Sequence, residues 1–262
     1  MMKALFTAAT GMKGQQLSVD VISNNIANVN TNGYKRSRVN FQDLLYVRLR
    51  QAGDASQGIQ SPTGFEVGSG VRAVSTTRTF SQGVLEGTDR PLDISIQGRG
   101  FLQVTMPDGT TAYTRDGALH PDSNLTLVTS EGYFLEPQIT LPTNMDMVSF
   151  GSDGTILVTT TDDPTTATQV GQLQLAMFPN EAGLDPLGSN LFRPTAASGT
   201  ATPVTPGQNG AGTIAQGYIE KSNVDVVSEL VNLIVAQRAY EVNSRAIRTA
   251  DEMLGQVNGL IR

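Results

Sequence analysis

Two segments at opposite ends of the chain carry the same seven-residue apolar repeat, and the long region between them does not. In the N-terminal segment the repeat runs through Leu5, Met12, Val19 and Ile26, with a second row that includes Ile22 offset by three. In the C-terminal segment the two rows are Val226, Leu233, Tyr240, Ile247, Leu254 and Ile261, and Ala236, Asn243, Ala250 and Val257. Alternating steps of three and four are typical of the contact face, or seam, of a coiled coil. Distant seams can pair with each other or with other copies, which favours a building block over a catalyst.

The two repeats predict one helix at each end of the chain. The first helix should cover about residues 3–29 and end at Asn30-Thr31-Asn32-Gly33, where residues that tolerate positive φ follow one another. The second should cover about residues 224–260, with Ser222 or Asn223 near its N-cap. Outside its seam the first helix is nearly uncharged and rich in Gly, Ser and Asn, including Asn25, so neighbouring helices can approach it closely.

The middle of the chain predicts strands. Short alternating runs are separated by turn residues, and no long helical pattern interrupts them, which favours an antiparallel barrel or sandwich. The runs are Val71–Phe80, Leu92–Ile96, Phe101–Thr105, Thr126–Thr129, Ile156–Thr160 and Val170–Phe178. We therefore expect an α+β fold. Its parts are a terminal helical domain (1–33 plus 223–262), an extended connecting segment (34–70) and an antiparallel β domain (71–222) with a surface loop over Ala196–Gly212.

Net charge and the length of apolar runs argue against some classes of binding partner. The formal charge of −6 argues against nucleic acid, because phosphate binding needs a basic face. We interpret the one basic stretch (Lys35, Arg36, Arg38, Arg48 and Arg50) as solvated. No apolar run reaches the roughly 18 residues that a membrane-spanning helix needs, so we expect no membrane insertion. The N-terminal repeat runs through the start of the chain, which lacks a good cleavage site, so we expect residues 1–29 to belong to the mature protein and any export to keep this helix, without a cleaved signal peptide.

No catalytic constellation is evident in the sequence. The chain has no cysteine, and His120 is its only histidine, so thiol chemistry and multi-histidine metal sites are excluded. There is neither a G-x-S-x-G elbow nor a Walker loop. We therefore expect no enzyme activity, no catalytic residues, no cofactor and no metal.

One polar residue in the seam stands out. Asn243 interrupts the C-terminal row, and Gln15 is its candidate counterpart on the first helix. Asn243 is either a tolerated polar contact or a residue that fixes register among packed helices, as a buried Asn does in coiled coils.

A helix pair on its own is marginal. The apolar side chains of both seams offer about 26 kcal/mol at most, and ordering about 60 residues costs about 1–2 kcal/mol each. We therefore predict terminal segments that are disordered in the monomer and fold when many copies pack together. The expected assembly interface is Leu5, Met12, Val19, Ile22, Ile26, Leu233, Tyr240, Asn243, Ile247, Leu254, Val257 and Ile261.

Five motifs, in order, resemble the rod and hook proteins of the bacterial flagellum over nearly the whole chain. The motif that ends the first helix comprises Ala27, Asn28, Thr31, Gly33, Tyr34 and Lys35. The others are Ser81–Glu86 followed by Leu92–Phe101, Tyr113–Gly117, Ser222–Asp225, and Gln237–Glu241 with Asn243-Ser244. The segments Tyr46–Val71 and Gly207–Gly212 are similar to those of distal rod members. The sequence departs at Asp122-Ser123-Asn124-Leu125, where the family has Asn-Gly before Leu.

The resemblance implies a structural subunit of the distal rod in the flagellar basal body, within the periplasm-spanning rod. Such subunits form a self-assembling helical tube, with both terminal helices on the inner wall, that transmits motor torque to the hook and is part of the export channel. The implied partners are copies of the chain, other rod proteins, the hook, surrounding ring proteins and the export apparatus. A proximal rod or hook subunit is the alternative within the family. A cell-wall hydrolase or an adhesin with a helical docking arm is the alternative outside it.

Overall fold

The computed structural model describes residues 2–50, 55–56, 59–60, 63–161 and 163–260. Side chains are described in these ranges except at 55–56, 59–60, 163–165 and 257–260. The chain divides into two compact units. The helical unit comprises Met1–Ala27, Ser37–Arg78 and Asp225–Arg262, and the β unit comprises Asn28–Arg36 and Thr79–Val224.

The helical unit contains the two long helices and a set of nested strand pairs. The helices are α1 (Met2–Ala27) and α2 (Val226–Leu260). The strands are β1 (Ser37–Asp43), β2 (Val47–Arg50), β3 (Ala55–Ser56), β4 (Ile59–Gln60), β5 (Phe65–Val67) and β6 (Val71–Arg78). β1 pairs with β6, β2 with β5 and β3 with β4, all antiparallel. The segment 34–70, expected to be a connection, therefore forms most of a two-stranded ribbon. Burial does not alternate along β2, because its residues are exposed on both faces.

The start of α2 differs from the expected cap. Asp225 is the capping residue, because its Oδ1 accepts a hydrogen bond from the Val227 amide at 3.2 Å and its Oδ2 accepts one from Ser228 Oγ at 2.6 Å. Asn223, which was expected near the cap, instead hydrogen-bonds residues of the β unit.

The β unit is built from sixteen strands and one short 3-10 helix (Glu181–Gly183) among the described residues. The first eight strands are β7 (Leu85–Gly87), β8 (Ile94–Gln97), β9 (Phe101–Thr105), β10 (Thr111–Thr114), β11 (Leu119–Pro121), β12 (Leu127–Thr129), β13 (Phe134–Glu136) and β14 (Met145–Phe150). The remaining eight are β15 (Thr155–Thr160), β16 (Asp163–Gln172), β17 (Leu175–Met177), β18 (Asp185–Gly188), β19 (Leu191–Arg193), β20 (Thr202–Val204), β21 (Thr213–Gln216) and β22 (Tyr218–Glu220).

Antiparallel pairing organises these strands throughout the described part of the chain. The large sheet has the order β11-β12-β13-β9-β10-β19-β18, and β17 joins it by pairing with both β9 and β20. A second sheet has the order β14-β15-β16, and two ribbons pair β8 with β21 and β7 with β22. The prediction of an α+β fold with terminal helices and an antiparallel middle is confirmed.

The core of the β unit comes from residues that alternate along the strands. Ile94, Leu119, Leu127, Ile156 and Leu173 are fully buried in one cluster. A second cluster contains the aromatic rings of Phe101, Phe178 and Phe192, which meet edge to face with centroids 5.7–6.0 Å apart.

Two local expectations for this region need correction, and one turn has an unusual backbone conformation. The run Val170–Phe178 is two strands, because the backbone at buried Leu173 bonds to Gly154 and the chain passes from one sheet to the other. The expected loop Ala196–Gly212 contains β20, since Thr202–Val204 pairs with β17. In the β11–β12 turn, which departs from the family pattern, Leu125 adopts the left-handed conformation with φ 61°.

Candidate assembly surface

The two helices pair antiparallel in a single register. The buried Asn25 donates a hydrogen bond from Nδ2 to Glu229 Oε2 at 3.3 Å, and a Cβ placed on Gly11 would lie 2.9 Å from Asn243 Nδ2. The residue numbers of both pairs sum to 254, so each step along α1 is matched by one step back along α2. In this register the start of α1 faces residues near 252, and the last two turns of α2 extend beyond it.

The seam residues lie where the helices meet, and most of them are only half-buried. On α1 these are Leu5, Met12, Val19, Ile22 and Ile26, and on α2 they are Leu233, Asn243, Ile247 and Leu254. The small residues Ala8, Ala236 and Ala250 are buried, whereas Tyr240 remains largely exposed. The Val257 side chain and Ile261 lie outside the described residues. The seam residues whose side chains are described are therefore brought to one face of each helix.

A second apolar surface covers the other faces of α2 in its N-terminal half. Six side chains between 45 and 69% exposed form this outer stripe: Val227, Leu230, Val231, Ile234, Val235 and Val242. Such a contiguous patch is typical of interaction surfaces, since isolated soluble helices place charged residues there. The heptad pattern did not single out these residues, because they lie between the seam positions.

An apolar ribbon follows the first strand pair of the helical unit. It is formed by Leu45, Tyr46, Val47, Leu49 and Phe65, and Leu45 is 88% exposed. Arg48 on the same ribbon pairs with Glu66 at 2.7 Å and is exposed. The ribbon is therefore a further apolar surface that the helical unit presents to solvent, in addition to the outer stripe.

A buried polar network joins α1, β1 and α2. Asn25 Oδ1 accepts a hydrogen bond from the Ser37 amide at 3.0 Å, and its Nδ2 donates to the Ser37 carbonyl at 2.8 Å. The same amide contacts the buried carboxylate of Glu229. The sequence reading placed Asn25 on an outer face of α1, which is wrong, because Asn25 binds both backbone groups of one β1 residue. An Asn in the last turns of a helix gave no signal for this role.

The family motif after α1 has a structural role in the β unit. Ala27 ends α1 and is exposed, and Thr31 Oγ1 hydrogen-bonds Asn28 Oδ1 at 3.2 Å. Gly33 has φ 68° and donates its N–H to the Glu220 carbonyl at 2.8 Å, and a Cβ there would lie 2.8 Å from the Asp116 amide. Only glycine fits both that conformation and that contact. Tyr34 is buried beside it.

Lys35, the last residue of the motif, belongs to a buried charge cluster. Its Nζ lies 2.6 Å from Glu220 Oε1, and Arg115 Nη1 lies 3.2 Å from Glu220 Oε2, with all three side chains at most 1% exposed. Burial lowers the pKa of Lys35, and the Glu220 carboxylate opposes that shift. The reading of Lys35 as part of a solvated basic stretch is therefore wrong. Its partner stands 185 residues away in the sequence.

Among the described residues, no group of three or more His, Asp or Glu side chains could hold a metal ion. His120 lies beside Arg90, with Nδ1 3.0 Å from Nη2, on an exposed edge. Among the described helices, none is long and apolar enough to cross a bilayer.

Comparison with known proteins assigns the whole chain to one family. Three family models match: a flagella basal body rod protein model over residues 5–35, a flagellar hook protein FlgE/F/G D1 domain model over residues 95–158, and a flagellar basal body rod FlgEFG protein C-terminal model over residues 215–260. The chain is 51% identical to the flagellar basal-body rod protein FlgG of Caulobacter vibrioides, over 97% of each chain. It is 48% identical to the FlgG of Buchnera aphidicola subsp. Schizaphis graminum, over 99% of this chain and 100% of the other. It is 38% identical to the FlgG of Bacillus subtilis, over the full length of both. The chain therefore belongs to the flagellar basal-body rod protein family.

Proposed function

We propose that the chain is a structural subunit of the distal part of the flagellar rod and polymerises with copies of itself into a helical tube. In this assembly the helical unit forms the inner wall and the tube carries motor torque to the hook. The lumen is part of the export channel. Family membership supports the setting, and the outer stripe is the single observation that carries the mode of assembly.

The outer stripe supplies the driving force for polymerisation. Burial of its six side chains against neighbouring copies would contribute about 1 kcal/mol each or more. The stripe lies on faces of α2 that the seam does not use, so one subunit can hold α1 by its seam and other copies by its stripe. A helix with apolar residues on several faces needs several neighbours, which suits a tube better than a dimer.

The apolar ribbon is our candidate for the element that stiffens the tube. Wedged between neighbouring copies, Leu45, Leu49 and Phe65 would resist sliding of one subunit past the next.

Contacts with other rod proteins, the hook, the surrounding ring proteins and the export apparatus follow from the place of a rod subunit. The role is mechanical and needs no catalytic group, and the acidic chain is unsuited to nucleic acid.

Electron microscopy of concentrated full-length protein tests the proposal. The wild type and Val74→Asp should both form indefinite tubes, whereas Ile234→Asp should not. Val74→Asp is the matched control for Ile234→Asp, since Val74 and Ile234 are 57 and 56% exposed and both belong to the helical unit. A charge in the stripe must be desolvated on assembly, so Ile234→Asp should keep the wild-type circular dichroism spectrum but remain small in sedimentation.

The alternatives give different outcomes in the same experiment. A small closed oligomer of the wild type would favour an adhesin on a helical stalk. Turnover of peptidoglycan by the soluble protein would favour a wall hydrolase. Tubes of Ile234→Asp indistinguishable from those of wild type would remove the outer stripe from the interface.

A further inference from the structure

Residues 213–224, which we call the closing segment, are the last part of the β unit along the chain. The segment comprises β21, β22 and Ser222–Val224. Its backbone reaches distant regions, because the Gly217 amide bonds the Asp93 carbonyl at 2.7 Å and the Ile214 amide bonds the Ser152 carbonyl at 3.1 Å. β21 also pairs along its length with β8.

Glu220 supplies the negative charge that pairs with two buried cations from earlier parts of the β unit. Lys35 and Arg115 are both buried, and the Glu220 carboxylate contacts both of them. The same carboxylate accepts a hydrogen bond from the Gly83 amide at 2.8 Å. Without the closing segment, two cations would be buried with the carboxylate removed, which is among the costliest arrangements in a protein interior.

Gln216 completes the edge of the second sheet. Its Oε1 accepts a hydrogen bond from the Phe150 amide at 3.1 Å, and its Nε2 donates to the Val148 carbonyl at 2.7 Å. The Nε2 group also donates to the Pro91 carbonyl at 2.7 Å. One side-chain amide thus satisfies backbone groups at the edge of β14 that a neighbouring strand would otherwise hydrogen-bond.

Asn223 joins the two ends of the unit. Its Oδ1 accepts a hydrogen bond from the Arg36 amide at 2.7 Å, and its Nδ2 donates to the Thr79 carbonyl at 2.8 Å and to the Ser81 carbonyl at 3.1 Å. The segment before β7 and the segment after α1 therefore depend on one residue near the end of the unit.

We infer that the closing segment is a folding lock: the β unit becomes native only when residues 213–224 dock, and it has no stable folded form without them. The contacts reach residues 33–36, 79–97, 115 and 148–152, so four separate stretches of the unit depend on the closing segment. Resting on the proposed function, the consequence concerns export. A chain that passes through the export channel unfolded cannot fold its β unit until both Lys35 and Glu220 have left the channel. This holds whether the N-terminus or the C-terminus leaves first.

Hydrogen exchange on the full-length protein tests the lock, with Gln216→Ala and Asn223→Ala as the variants. Each removes hydrogen bonds of the closing segment but keeps Glu220 beside its cations. The reporter is the β9–β10 hairpin (residues 101–114), which pairs with β13, β17 and β19. If the unit opens as one, exchange in the hairpin and in residues 213–224 should accelerate by the same factor, at least about tenfold, because each variant loses three or more hydrogen bonds. The control Asp185→Asn, which removes an exposed ion pair with Arg193, should leave both regions unchanged.

The opposite result is equally clear. Faster exchange confined to residues 213–224 in both variants, with the β9–β10 hairpin at wild-type protection, would show local fraying and overturn the lock. Loss of all protection in either variant, with the control intact, is the limiting case of the lock and supports it. Tube formation is not measured, so the lock and the proposed function stand or fall separately.

Discussion

Asn243 of α2 faces Gly11 of α1, and a Cβ on Gly11 would lie 2.9 Å from the Asn243 amide nitrogen. Asn243 was expected to meet Gln15, yet the residue opposite it is one that has no side chain. The amide therefore sits in a notch that one register alone provides. This geometry makes Asn243 a candidate for fixing register, beyond a tolerated polar contact.

Replacement of Asn243 by Leu should leave the β unit folded but permit misregistered assembly. Leucine has a similar volume and fills the notch, but it gains the same contact in any apolar register. We expect tubes of variable diameter or broken helical order in electron micrographs. The same change at exposed Asn232 is the control and should leave the order intact. Unaltered helical order in Asn243→Leu would reduce the residue to a tolerated contact.

Replacement of Gly11 by Ala should stabilise the assembly less than replacement of Gly255 by Ala. Both glycines lie in helices, but a Cβ on Gly255 would meet no atom within 4 Å. Ala is favoured over Gly in a helix by about 1 kcal/mol, and Gly255→Ala should gain most of it. In Gly11→Ala the new methyl group pushes against Asn243 and offsets the gain. Dissociation temperatures of assembled protein measure the difference, and Asn243→Ala should restore the gain at Gly11. Equal shifts for both alanine variants would mean that the notch is not tight.

The sequence repeats predicted both helices to within three residues at each end, because a seam repeats along a single helix. The strand Phe101–Thr105 was predicted with its observed bounds for a similar reason, since the burial that alternates over Leu102–Thr105 is a local pattern. The Asn25–Glu229 and Lys35–Glu220 pairs could not be found in this way. Their members are 204 and 185 residues apart, and each is of a type that is ordinarily solvated. Tertiary packing alone brings them together.

Residues 5–29 should exchange their amide hydrogens rapidly in the monomer. Large apolar residues of the α1 seam, such as Leu5, Met12 and Val19, are half-buried against α2, and glycines weaken the helix further. We expect exchange within minutes in dilute monomer and strong protection after assembly. Mass spectrometry with the β9–β10 hairpin as the internal reference measures this. Strong protection of residues 5–29 in the monomer would contradict the view that the helices depend on neighbouring copies.

Replacement of Glu220 by Gln should destabilise the β unit far more than replacement of Lys35 by Met. Loss of the carboxylate leaves Lys35 and Arg115 buried together without their anion, at a cost of about 3–5 kcal/mol. Loss of Lys35 leaves a one-to-one Arg115–Glu220 pair and should cost less. The double variant Lys35→Met/Glu220→Gln should therefore be more stable than Glu220→Gln alone. Urea unfolding followed by near-ultraviolet circular dichroism gives these free energies, and additive losses in the double variant would show that Lys35 and Glu220 are not energetically coupled.

Deletion of residues 46–66 should give tubes that bend more easily. The deletion removes most of the apolar ribbon, and its new junction joins Leu45 to Val67, which lie at the base of the β2–β5 pair. If the ribbon is wedged between neighbouring copies, its loss removes contacts that oppose sliding while the seam and the outer stripe still hold the subunits together. Curved tubes, or tubes with a shorter persistence length in micrographs, are the expected result.

The double variant Leu49→Ser/Phe65→Ser keeps the chain length and should lower the bending stiffness of the tubes by a smaller amount than the deletion does. Val74→Ser, an exposed apolar position on β6, serves as its control. Straight tubes of wild-type stiffness from the deletion would place the stiffening contacts elsewhere in the subunit.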